Sequence, residues 1–109
     1  MKRENYKPRL IDRKVSEYLS AFGAVCIEGP KWCGKTWTSA AHCGSEIFIG
    51  DPAGNFQNRR LASMDPKLVL DGSKPRLIDE WQEVPQLWDA VRYAVDMDTA
   101  KGQFILTGS

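Results

Sequence analysis

The chain has 109 residues, enough for one domain, and its 15 Lys and Arg against 14 Asp and Glu leave no overall field favouring nucleic acid or an anionic membrane. Cys26, Cys33 and Cys43 are an odd number without a C-x-x-C pair, which argues against a disulfide framework or a zinc site. No apolar run has signal-peptide or membrane-spanning length, so a soluble, cytoplasmic protein without membrane contact is expected.

Basic residues are dense from Lys2 to Lys14, and Pro8 keeps this stretch extended. It reads as a solvated arm, with contact to nucleotide or nucleic-acid phosphate as the sharper alternative. Val15, Tyr18, Leu19 and Phe22 then recur at helical spacing, with Asp12 as a cap and Gly23 as a stop. This helix should pack beside the first strand, Ala24 to Glu28.

Next comes Gly29-Pro30-Lys31-Trp32-Cys33-Gly34-Lys35-Thr36, which spells G-x-x-x-x-G-K-[ST], a loop that wraps nucleoside triphosphate phosphates. Its glycines let the backbone turn N–H groups inward. Lys35 supplies a charge for the β- and γ-phosphates, and Thr36 a hydroxyl for Mg²⁺. The following helix, Lys35 to His42, presents its N-terminus to the anion.

After Gly44, a second strand is expected over 46–50, ending at Asp51-Pro52. Residues 53–63 are weakly patterned and read as partly helical. Asp65-Pro66 starts a helix with Leu68, Val69 and Leu70 as its apolar face. A third strand, Arg76 to Glu80, ends on two carboxylates. Val84, Leu87, Trp88, Val91 and Val95 restore the helical period, with Pro85 in the first turn, and Gly102 introduces a last strand, 103–107. Four strands joined by helical connections give an α/β fold with a mostly parallel sheet covered on both faces.

Ligands of such sheets sit at the carboxyl ends of the strands. The phosphate loop, Asp51, Asp79 with Glu80, and Thr107 to Ser109 fall there. As strand neighbours, Asp79 and Glu80 should point to opposite faces and take different roles. If strand three lies near strand one, Asp79 can hold the Mg²⁺ shell with Thr36, and Glu80 can accept a proton from an attacking water. Thr107 and Ser109 offer hydroxyls near the γ-phosphate. Asp51, with Asn55 nearby, either orients Glu80 or forms a turn with Pro52, the turn being the plainer reading. Trp32 and Trp37 flank the loop and can meet a partner, Trp81 and Trp88 should pack, His42 caps its helix and Cys33 fills the loop.

The three segments Ile27 to Thr36, Pro75 to Gln82 and Phe104 to Ser109 together resemble the AAA-type ATP-binding proteins of bacteria and archaea that carry an uncharacterised C-terminal domain. The resemblance implies a P-loop NTPase three-layer fold with the sensor-one strand between strands one and three. It makes Gly29 to Thr36 the Walker A loop, Asp79 the Walker B metal ligand, Glu80 the catalytic base and Ser109 the sensor, with Thr107 its alternative. Family members continue into a fifth strand, a helical lid, a γ-phosphate arginine and a further domain. By that likeness the chain is truncated after the sensor strand, with residues 1–23 an N-terminal arm and helix and 24–109 an incomplete ATPase core whose strand one becomes a sheet edge.

The expected function is Mg²⁺-dependent ATP hydrolysis. A nucleotide-binding module or remnant with negligible turnover, lacking the arginine, is the alternative, and a P-loop kinase is a third reading. Self-association and nucleic-acid contact stay open.

Overall fold

The computed structural model describes residues 10–28 and 43–108, of which 10–13 by their backbone alone. In chain order the elements are α1 (Leu10–Ala21), β1 (Ala24–Glu28), β2 (Ser45–Phe48), α2 (Ala53–Met64), α3 (Lys67–Leu70), β3 (Arg76–Asp79), a 3₁₀ turn (Trp81–Glu83), α4 (Gln86–Met97) and β4 (Phe104–Gly108). The four strands form one sheet in the order β1-β4-β3-β2, and every pairing is parallel. Strand three therefore lies one strand removed from strand one. The last strand lies between them, as the family resemblance implied.

Side-chain alternation along these strands builds two apolar layers. On one side Val25, Ile27, Leu77 and Ile105 bury against Val15 and Leu19 of α1. On the other, Ile78, Phe104 and Leu106 bury against Ala62 of α2, Val69 and Leu70 of α3, and Leu87 and Val91 of α4. The central strands are apolar on both faces because both are covered, and burying each such side chain contributes about 1.5–3 kcal/mol. Gly23, just before β1, has a packing role. A Cβ there would stand 2.6 Å from Val95 Cγ1, so glycine lets α4 close on the start of β1.

Several sequence expectations shift locally. The α1 helix is already under way at Leu10, which puts Asp12 inside its first turn instead of at the cap. Only Val15 and Leu19 of its expected face are buried. Phe22 lies beyond the helix end and meets Tyr18 edge to face at 6.0 Å, both exposed. Leu68 is exposed too, leaving Val69 and Leu70 to face the core. Strand β2 stops at Phe48, since Ile49 and Gly50 turn away, but Ile49 remains fully buried.

Helix α2 spans the weakly patterned stretch with a kink near its start, and Ala62 is its one buried residue. Its first turn runs left-handed through Gly54, Asn55 and Phe56. The Arg60 guanidinium secures that turn by donating to the carbonyls of Gly54 at 2.9 Å and Asn55 at 3.1 Å. Side-chain to backbone bonds of this kind offset the cost of left-handed non-glycine residues.

The two leucines separate core from surface cleanly. Leu77→Ala should lower unfolding free energy by about 2–5 kcal/mol, and Leu68→Ala by no more than about 0.5 kcal/mol. Urea denaturation followed by circular dichroism, with unchanged m-values, checks both.

Candidate functional site

Because all four strands run the same way, their carboxyl ends share one edge of the sheet. Register sets what meets there. Glu28 aligns with Gly108, Thr107 with Asp79, and Asp79 with Phe48. Leu77 and Ile105 bury on the α1 side, and Asp79 and Thr107, two residues on, continue the same row. The fully buried Thr107 hydroxyl donates to Asp79 Oδ1 at 2.5 Å. A hydrogen bond to a carboxylate this short fixes its orientation.

Glu80 departs from the expected picture. The strand ends at Asp79, and Glu80 adopts left-handed backbone angles, φ 57 and ψ 44. Strand alternation thus does not separate the two carboxylates; a backbone turn does. The Glu80 amide still donates to the Thr107 carbonyl at 2.7 Å, and the Glu80 carbonyl accepts from the Glu83 amide at 3.1 Å. A left-handed glutamate costs on the order of 1–3 kcal/mol and persists where its surroundings impose it.

Those surroundings involve Gln82, which the sequence did not single out. Its Nε2 donates to Glu80 Oε2 at 2.8 Å. Its Oε1 is buried and has no hydrogen-bond partner, and neither has the indole Nε1 of Trp81. An orphaned buried acceptor costs about 1–3 kcal/mol. The same Oε1 would stand 2.5 Å from a Cβ on Gly108, so the end of β4 must be glycine for the amide to sit there. Gly50 also lies close to Glu80, where an added Cβ would stand 3.7 Å from Glu80 Cγ. A glutamine beside a tryptophan gives no periodic signal, and only the 3₁₀ turn brings it back onto Glu80.

Other expectations divide. Asp51 does not orient Glu80; its Oδ1 accepts from the Ala53 amide at 2.9 Å, the turn that Asp-Pro suggested. Asn55 uses its carbonyl for Arg60. Trp81 and Trp88 pack on each other, ring centroids 5.1 Å apart. Gly29 to Thr36, Trp37, His42 and Ser109, and the basic arm before Leu10, lie outside the described residues. The loop leaves β1 immediately after Glu28, whose register partner is Gly108.

The groups whose protonation is displaced sit at the opposite edge. Burial pushes the Cys43 thiol up, with the Glu46 charge adding to it. Burial also lowers Lys74, where nearby Arg76 adds to the effect, and lowers Arg76 itself. Lys74 Nζ lies 3.9 Å from the Phe104 ring centroid, and Arg76 Nε donates to the Val69 carbonyl at 2.7 Å. An apolar cleft of about 290 Å³ between β1 and α4, walled by Ala24, Cys26, Trp88, Val91 and Leu106, is also removed from the carboxylates.

A parallel sheet between helical layers, with an acidic pair at its carboxyl edge beside the strand that leads into a phosphate-type loop, defines a P-loop NTPase-like α/β domain. The model of the AAA domain family matches residues 21–109. The chain belongs to that family, whose domains bind nucleotide, generally ATP with Mg²⁺, and have an ATPase-like function. No curated protein and no solved structure matches the chain. Among the described residues no helix is long and apolar enough to cross a membrane.

Thr107→Val keeps the shape of the side chain and deletes the donor to Asp79. It should destabilise the protein by about 1–3 kcal/mol, whereas Asp79→Asn, which retains an acceptor at Oδ1, should cost less. Parallel urea titrations of the two variants test this ranking.

Proposed function

We propose that the chain binds ATP with Mg²⁺ and hydrolyses it at the carboxyl edge of the sheet. The observation that carries this reading is the Thr107–Asp79 hydrogen bond, followed at once by Glu80 and aligned through β4 with the end of β1. In this reading Gly29, Pro30, Lys31, Trp32, Cys33, Gly34, Lys35 and Thr36 wrap the phosphates, with Lys35 on the β- and γ-phosphates.

An oxygen donor set suits Mg²⁺. Asp79 keeps its Oδ2 beyond the bond that Thr107 makes to Oδ1, and this second oxygen with the Thr36 hydroxyl would hold the ion and its waters. Bound Mg²⁺ supplies neutralisation of phosphate charge. Glu80 takes the proton of the attacking water at its carboxylate, an assignment supported by its half-buried position one residue past the metal carboxylate. Ser109, next after the Gly108 partner of Glu28, senses the γ-phosphate through its hydroxyl. Thr107 is the weaker sensor candidate because its hydroxyl is already engaged with Asp79.

Binding and chemistry separate by mutation. Lys35→Ala should weaken ATP binding in calorimetry with Mg²⁺ by at least about tenfold, and unchanged affinity would remove the loop from the site. Glu80→Gln should bind ATP normally and release phosphate about 10²–10⁴-fold more slowly. Equal release by native and Glu80→Gln protein would exclude Glu80 as the base.

A further inference from the structure

We propose that Gln82 is the positioning residue for Glu80, and that it ties the candidate base to the last residue of β4. The inference rests on the hydrolytic reading above and extends it to a residue with no assigned role. Three observations meet at the Gln82 amide. Its Nε2 holds one Glu80 carboxylate oxygen at 2.8 Å. Its Oε1 is buried without a partner. Gly108 lies so close that a single added carbon would stand 2.5 Å from that oxygen.

The amide orientation follows from chemistry. Flipping it would set Oε1 against a carboxylate oxygen, so the donor must face Glu80 and the acceptor must face Gly108. Glu80 has a flexible side chain on a left-handed backbone, and a general base must be held within hydrogen-bonding reach of its water. The 3₁₀ turn brings Gln82 back onto the residue two before it, so the turn that displaces Glu80 from the strand also delivers its restraint. The Gly108 contact makes this restraint depend on the position of the β4 end. A shift there displaces Oε1, rotates the amide and releases Glu80. Because Nε2 is engaged with Glu80 and Oε1 faces Gly108, the restraint acts on turnover and leaves ATP affinity alone.

A double-mutant cycle in the full chain tests the link. Gln82→Ala and Gly108→Ala should each lower kcat by about tenfold, with KM for ATP within about twofold of native. Gly108→Ala acts by pushing the amide away, so adding it to Gln82→Ala should lower kcat no further. Additive losses, or a loss carried by KM, would overturn the proposal.

A second measurement needs no turnover. The Gln82 side-chain amide signals, assigned by their disappearance in Gln82→Ala, should move in ¹⁵N–¹H spectra of Glu80→Ala and of Gly108→Ala. Signals unmoved in both variants would overturn the link even if all the proteins were active. Signals that move, in a protein whose native and Glu80→Gln forms release phosphate equally, would instead overturn the hydrolytic reading and with it the catalytic role of Gln82.

Discussion

The backbone hydrogen bond from the Glu80 amide to the Thr107 carbonyl is the constraint on which the candidate site depends. It continues the β3–β4 ladder one residue past the end of β3. The ladder in turn holds Asp79 opposite Thr107, where their side chains share a face and bond directly. A slip of one residue would carry Asp79 to the other face and break the pair. The buried rows of Leu77 with Ile105, and of Ile78 with Phe104 and Leu106, make that slip prohibitive, because it would expose both layers together. Core packing therefore fixes the position of a polar side chain at the sheet edge.

Beyond the ladder, the turn takes over. Glu80 leaves the strand left-handed, and the 3₁₀ segment closes through the Glu83 and Val84 amides. Trp81 anchors this segment against Trp88 of α4, an aromatic contact worth about 0.5–1.5 kcal/mol beyond its buried area. Arg59 bridges to Glu83 at 2.9 Å, but both side chains are exposed and the pair adds little. The geometry of Glu80 thus follows from the seating of α4 on the sheet, which the glycine at Gly23 makes possible at the other end of the same helix.

The layer order and the strands were legible because their signals are collective. Every β-strand of the sheet lies within two residues of its apolar run, and the amphipathic period from Leu87 to Val91 located α4. What escaped were features set by one residue meeting another across the fold. Tyr18 and Phe22 sit at helical spacing yet remain exposed, since periodicity cannot tell where the facing sheet ends. The weak pattern of α2 gave a partly helical reading, and the structure has a helix whose first turn is left-handed and held by Arg60 instead of by an apolar face. The sequence pattern placed Asp79 and Glu80 at the carboxyl end of the third strand, and the structure ends β3 at Asp79. The left-handed turn between them and the return of Gln82 were not legible, since glutamate in that conformation has no compositional mark.

The charge arrangement gives the two ends of the sheet different work. At the amino edge, cations satisfy carbonyls at the end of α3: Arg76 donates to Val69 and Lys74 to Leu70 at 3.4 Å. Cations favour a helix C-terminus, so these contacts are structural. At the carboxyl edge stand the acidic side chains of Asp79 and Glu80. Under the proposed function this edge must receive a polyanion, and two like charges 4 Å apart repel by about 4 kcal/mol at an effective dielectric of 20. Neither carboxylate can then contribute to holding phosphate by itself. Under that same proposal, positive charge comes with the nucleotide as Mg²⁺ and from Lys35. The hydrogen bond from Thr107 acts in the same sense. It occupies one Asp79 oxygen, and under the proposed function the other is the one that would meet the cation.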